Sequence, residues 1–250
     1  MKLFTLGTSH GDPTLTRFNS ALVLQLGNAN YLFEAGAPVN ALMIRKDLAF
    51  ADLKAVFVSH SHEDHIGGLP GLIKSLVKRP VNGQHTDIFL PERETIDGLL
   101  AFMRATHRMW ADELLSFYTI GDGTRIYADE FISVETLRTN HMSNEQMDYP
   151  SYAFVVTAEN KRIVFTGDIS RTLCDLPLAA LQTPAILVME CQHYDPSEAG
   201  KQLNKLPIER FIGVHISNKW DSLGEKAFIE TLGNPPFPVE LAEDGMEFEL

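Results

Sequence analysis

Residues 60–65 read His60-Ser61-His62-Glu63-Asp64-His65, and this hexapeptide limits the fold more sharply than any other feature of the chain. Four metal-ligating side chains occupy six positions, directly after the apolar run Ala55 to Val58, which predicts a buried strand. Side chains alternate along an extended segment, so His60 and His62 point the same way and can grip one ion together. Once the chain bends, Asp64 and His65 can face a second ion. Imidazole and carboxylate donors suit Zn²⁺, Mn²⁺ or Fe²⁺. Gly67-Gly68 follows at once.

The remaining chain reads as one continuous domain, residues 1–250, with no repeat, low-complexity tract or linker. A 44% apolar and 22% charged composition is that of a globular protein. No apolar run approaches the length of a membrane span, and no signal peptide is expected at the N-terminus. The two cysteines, Cys174 and Cys191, are expected to be reduced thiols of a cytoplasmic protein. Strands are expected at Lys2–Leu6, Ser20–Leu26, Tyr31–Glu34, Asp87–Leu90 and Leu115–Ile120. Further strands are expected at Phe131–Leu137, Tyr152–Thr157, Arg162–Thr166, Ala185–Glu190 and Arg210–His215. Helices are expected from Pro38 to Leu48, Pro70 to Lys78, Pro91 to about Met109, Ser197 to Leu206 and Ser222 to Leu232. Val239–Leu241 and Met246–Leu250 suggest a closing hairpin around Glu243-Asp244-Gly245. A β-rich stretch followed by helix occurs twice, which points to an α/β fold of two packed sheets with helices outside.

The hexapeptide matches His-x-His-x-Asp-His, and with its preceding strand and following Gly-Gly it resembles the signature of the metallo-β-lactamase superfamily. That resemblance implies a four-layer αβ/βα sandwich and three further ligands at strand ends. The sequence supplies them in order: His141 in Thr139-Asn140-His141, Asp168 after Phe165-Thr166-Gly167, and His215 after Phe211-Ile212-Gly213-Val214. By the same resemblance His60, His62 and His141 would form one site, Asp64, His65 and His215 the other, and Asp168 would bridge them. Glu34, where many members carry Asp, would support a ligand histidine from behind. The implied cofactors are two divalent ions, zinc or manganese with iron as a third choice, holding a bridging hydroxide for hydrolysis.

An Asp at the bridging position, where the lactamases proper commonly carry Cys, points to phosphodiesters, thioesters or lactones. Val188-Met189-Glu190-Cys191-Gln192-His193, His215-Ile216-Ser217 and Asp244-Gly245-Met246 resemble the phosphodiesterase branch. Its nearest members are the cyclic-phosphate phosphodiesterase of the carbon–phosphorus lyase pathway and ribonuclease Z. The resemblance gives His193 the role of protonating the leaving oxygen, beside Asp64 in the catalytic centre. Lys219 is the candidate phosphate contact, and His10 is expected on an exposed loop. The chain lacks the branch's N-terminal cysteine cluster and the long arm of ribonuclease Z. With a net charge of −12, nucleic acid is not the expected substrate. The expected activity is therefore hydrolysis of a small phosphodiester, cyclic or linear. A thioester or lactone hydrolase and a metal-bound, non-catalytic binding protein are the alternatives. The stretch from Met103 to Leu115 is the candidate for a homodimer face or a lid.

Overall fold

The computed structural model describes residues 1–108, 113–144 and 146–250. They divide into two compact units, residues 1–120 with 243–250, and residues 121–242. Each unit is built on one seven-stranded mixed sheet.

In the first unit the strands are β1 (Lys2–Gly7), β2 (Ala21–Leu26), β3 (Ala29–Phe33), β4 (Leu53–Phe57), β5 (Thr86–Leu90) and β6 (Leu115–Thr119). The helices are α1 (Val39–Arg45), α2 (Glu63–Ile66), α3 (Leu69–Lys78) and α4 (Arg93–Ala105), with a 3₁₀ turn at Phe50–Asp52. β1 to β3 pair antiparallel, and β3 to β6 run parallel. Leu69, Leu72, Ile73 and Leu76 of α3 recur at helical spacing and bury one stripe against the core shared with Val39, Leu42 and Met43 of α1.

One device in this sheet bears directly on function. Phe33, Phe57, Phe89 and Tyr118 lie in register on β3, β4, β5 and β6. Their rings stack with centroids 5.1, 5.2 and 5.0 Å apart. Stacked aromatic pairs contribute about 0.5–1.5 kcal/mol each beyond the area they bury. Phe33 and Phe57 end β3 and β4, so the stack clamps the two strand ends from which Glu34 and the 60–65 segment depart.

In the second unit the strands are β7 (Arg125–Ala128), β8 (Ile132–Arg138), β9 (Tyr152–Ala158), β10 (Lys161–Phe165), β11 (Ala185–Cys191), β12 (Ile208–Ile216) and β13 (Val239–Leu241). The helices are α5 (Pro196–Leu203) and α6 (Asn218–Thr231). β7 to β10 are antiparallel, and β10 to β13 are parallel. Phe211, Trp220 and Phe228 anchor its separate core.

Three expectations change. The closing hairpin does not form: β13 pairs in parallel with β12, whereas β14 (Met246–Glu249) pairs antiparallel with β1. Each segment finds its partner in a different sheet, so the turn at 243–245 joins the sheets instead of two paired strands. α6 begins four residues earlier than expected, because the Ser217 side chain accepts from Trp220 N and caps it. Gly224, at φ 80° and ψ 170°, then interrupts the helix. α4 ends at Ala105. Met109 and Trp110, where the expected helix ended, lie outside the described residues.

Candidate metal centre

The first unit presents one cluster at the carboxyl ends of two parallel strands. Glu34 follows β3 with φ at 63°, a left-handed backbone that turns its side chain toward the end of β4. Its Oε2 accepts from Ser59 N at 3.2 Å and lies 3.2 Å from His65 Nδ1. A carboxylate on Nδ1 fixes the imidazole tautomer and presents Nε2 to the other side. That Nε2 lies 3.2 Å from Asp64 Oδ2. His60 is arranged alike: Ser59 Oγ meets its Nδ1 at 2.9 Å, and its Nε2 lies 3.0 Å from His62 Nδ1. The His60 and His65 rings are 4.2 Å apart. Gly68 is required where the segment returns, since a Cβ there would sit 2.7 Å from the carbonyls of Ala35 and Gly36. Its N–H donates to Ala35 O, and Ala35 N–H donates to His65 O.

The second unit presents another cluster at the ends of β8, β10, β11 and β12. Asp168 is 3% exposed, and its Oδ2 is the focus. His215 Nε2, His141 Nε2 and His193 Nδ1 lie 3.5, 3.6 and 3.7 Å from it. These separations exceed the hydrogen-bond range. Two donors bound tetrahedrally to one ion at about 2.0–2.1 Å would be about 3.4 Å apart, so His215 Nε2 and His141 Nε2 have the spacing of ligands around a cation. By distance alone His193 groups with His141 and Asp168 and with Glu190 and His215, but its Nδ1 is directed at Glu190 Oε1. His215 takes φ 50° within β12, again a turned backbone that aims its side chain. The donor chemistry in both clusters, imidazole with carboxylate, fits a divalent transition metal.

Two acids, Glu190 and Asp175, hold this second cluster. Glu190 is 1% exposed and accepts four N–H groups. Its Oε2 takes the backbone N–H of Gln192 at 2.7 Å and of His193 at 2.9 Å. Its Oε1 takes Ile169 N–H at 3.3 Å and His193 Nδ1 at 3.0 Å. Asp175 ties two ligand loops, accepting from Asn140 N and from Ser170 N and Oγ. Thr139 Oγ donates to Asp168 O.

Of the residues singled out in the sequence, the structure gathers His60, His62, Asp64, His65 and Glu34 in the first unit. It gathers His141, Asp168, His193 and His215 in the second. Lys219 stands apart: its ammonium lies 4.2 Å from the centre of the Trp220 ring. A cation over an indole face is attracted by the ring quadrupole, which accounts for this placement. The Asp195 carboxyl is held low chiefly by Ser197 N–H at the start of α5, with a smaller contribution from Lys219. His10 is half-buried rather than exposed, and its Nε2 is shielded without a hydrogen-bond partner. Ser59 and Asp175 were missed in the sequence, and Glu190 was noted only as part of the motif before His193, with no role of its own. Glu190 carried a signal, an acid closing an apolar strand three residues before a histidine. Asp175 carried none.

The comparisons with known proteins agree with this reading. A family model described as anti-Pycsar protein Apyc1 matches residues 1–208. A ribonuclease Z of Synechococcus sp. (strain CC9902) is 30% identical over 180 residues, 68% of this chain and 52% of that protein. The chain thus spans about half the length of this curated relative. Among solved structures, human tRNase Z, short form, superposes with a TM-score of 0.78 at 22% identity, covering 100% of this chain and 99% of that one. A diphosphatase from the PhnP family superposes at 0.73 and 15% identity, covering 100% and 97%. The two mixed sheets with flanking helices form the α/β metallo-β-lactamase fold, and the signature with its relatives places the chain in that superfamily. Within it, the chain belongs to the anti-Pycsar protein Apyc1 family.

Proposed function

We propose that the chain is a dinuclear metal-dependent hydrolase of a small phosphodiester, cyclic in its natural form. The reading is carried by the donor set itself: every ligand that the superfamily signature requires is present, at a strand end or on the segment that follows one. It treats the two units as one catalytic domain of 1–250. His60, His62 and His141 would hold one ion and Asp64, His65 and His215 the other, with Asp168 completing the donor set. Two bound divalent ions would supply a water ionised near neutral pH and positive charge against the phosphoryl oxygens.

The protein's own residues do the rest. Glu34 orients His65, and Ser59 orients His60. Glu190 receives His193 Nδ1, so the ring's Nε2 is the atom from which a proton passes to the leaving oxygen. Asp64 acts beside His65 as ligand. Lys219 can serve a phosphate only by leaving the Trp220 face. The 188–193 segment resembles the phosphodiesterase branch, to which the cyclic-phosphate enzymes belong. The relatives named ribonuclease Z favour RNA as the second reading, despite the acidic net charge. The reducing cytoplasm is the compartment proposed, and no disulfide occurs among the described residues. None of the described helices is long and apolar enough to cross a membrane. Homodimerisation through the stretch from Met103 to Leu115, of which 109–112 lie outside the described residues, belongs to the same proposal and is checked by sedimentation.

The experiment is hydrolysis of bis(p-nitrophenyl) phosphate by metal-stripped protein and by protein reloaded with Zn²⁺ or Mn²⁺, beside His62→Ala. Cyclic nucleoside monophosphates and an RNA oligonucleotide follow as competing substrates. Metal-dependent turnover that is lost in the variant, with cyclic diesters preferred, supports the proposal. Preference for RNA replaces the substrate with the second reading. No turnover with two ions bound removes the diesterase reading and turns attention to thioesters and lactones.

A further inference from the structure

The first unit contains a cavity of about 500 Å³ away from its histidine cluster, in the groove between α1 and α3. Lys74 and Lys78 stand one turn apart on α3, and Arg79 follows at its end. All three are exposed, and among the described residues none of them is in an ion pair. In a chain of net charge −12, three unneutralised cations around one concavity are an anomaly. Among the described residues, no acidic side chain lines the cavity. Asp47 and Asp52, the acids nearest in sequence to its Phe50 wall, are not among its lining residues.

The opposite wall is apolar. Phe50 lies half-buried against the core, and Ile44 is 64% exposed beside it. The floor is built rather than incidental. Asn40 Nδ2 donates to Ser75 Oγ across the helices at 3.3 Å, and Ser75 Oγ donates to Gly71 O. Gly71 permits this approach, since a Cβ there would come within 3.1 Å of Asn40 Oδ1. Gln84 fixes the far rim, donating to Leu76 O and accepting from Val81 N–H. The carbonyl end of α3 carries a negative dipole of about half a charge, and three full positive charges outweigh it.

We propose that this groove binds a nucleoside diphosphate or a closely related nucleotide. Its base lies against Phe50 and Ile44, and its phosphates lie on Lys74, Lys78 and Arg79. A planar ring on one wall and paired phosphates on the other match the groove's two chemistries and its volume. None of its lining residues belongs to the first unit's histidine cluster, and the site does not depend on hydrolysis.

The test uses the full chain stripped of metal, so that phosphate cannot bind at an ion. The probe is N-methylanthraniloyl-ADP, followed by fluorescence anisotropy, with amide chemical shifts recorded in parallel on titration with ADP. Saturable binding is expected, displaced by pyrophosphate and only weakly by adenosine. Raising the salt should weaken it, because exposed charges are screened. The triple variant Lys74→Gln, Lys78→Gln, Arg79→Gln should lower the affinity by about tenfold or more. Shifts should concentrate in residues 40–52 and 71–84. Absence of saturable binding, undiminished binding by the triple variant, or shifts confined to the histidine clusters would each overturn the proposal. Displacement by an RNA oligonucleotide at concentrations far below those of ADP would overturn it too, in favour of a polynucleotide surface. Circular dichroism checks that the variant is folded. If it is not, the shift map of the unaltered chain decides alone.

Discussion

Replacing Glu190 by Gln isolates the charge that organises the second cluster while keeping the side chain's shape. The carboxylate accepts four N–H groups, two at each oxygen. An amide keeps one accepting oxygen. The shorter pair, Gln192 N–H and His193 N–H at Oε2, should retain it. The amide NH₂ then faces Ile169 N–H and His193 Nδ1. His193 can answer by moving its proton to Nε2 and accepting at Nδ1, but Ile169 N–H has no such freedom. A buried donor left unmatched costs about 1–3 kcal/mol. Replacing the ionic acceptor weakens the surviving bonds, since charge-assisted bonds are roughly twice as strong as neutral ones. A total loss of about 2–4 kcal/mol follows. For a chain of this size that lowers Tm by about 5–15 °C. The assay is thermal unfolding of metal-stripped protein, with ¹⁵N spectra of the His193 ring to report its tautomer. A structural role alone would move the Tm. Only the described contact also moves the proton from Nδ1 to Nε2. A Tm within about 1 °C of the parent, together with an unchanged tautomer, would refute the assignment of Glu190 as the residue that positions His193.

Phe57→Ala removes a fully buried ring that stacks on both Phe33 and Phe89, and should cost about 3–5 kcal/mol by urea unfolding. Because Phe57 ends β4, the variant should also bind zinc more weakly in competition with a chromogenic chelator; unaltered affinity would show that the stack does not hold the ligand segment. Chelation of a metal-loaded sample should lower Tm, by about 5–10 °C for one site saturated at a hundredfold excess over its Kd. Equal melting of loaded and stripped protein would argue against ion binding in the folded state. Burial raises the Asp244 carboxyl above its ordinary 3.8, against the pull of the Thr8 hydroxyl, the Phe18 and Thr8 N–H groups and Arg17. The folded chain therefore holds that proton more tightly than the unfolded chain. Its contribution is fully favourable below the ordinary value and is lost as pH rises through the raised one. Stability of the parent relative to Asp244→Asn should fall as pH climbs above 3.8, and a rise over that interval in urea titrations would contradict the burial argument.

Local chemistry was legible in the chain wherever neighbours in sequence settle it. The buried run before His60 dictated a strand, and alternation placed His60 and His62 on one side, where their nitrogens lie 3.0 Å apart. The strand-end positions of His141, Asp168 and His215 followed from apolar runs that end in Gly or polar residues. Partners distant in sequence were not legible, because what selects them is a cavity or a register, not a pattern. Val239–Leu241 and Met246–Glu249 look like a hairpin in isolation, yet each completes a different sheet. Lys219 sits over Trp220 because an aromatic face lies within reach at the start of α6. The ring stack from Phe33 to Tyr118 exists only because four parallel strands share one register. The basic groove exists only because α1 and α3 meet at Asn40, Gly71 and Ser75. The sequence determined which donors stand at strand ends. The tertiary structure decided which buried acids orient them, since a carboxylate's partners are chosen by distance in space and by the cost of leaving an N–H unmatched.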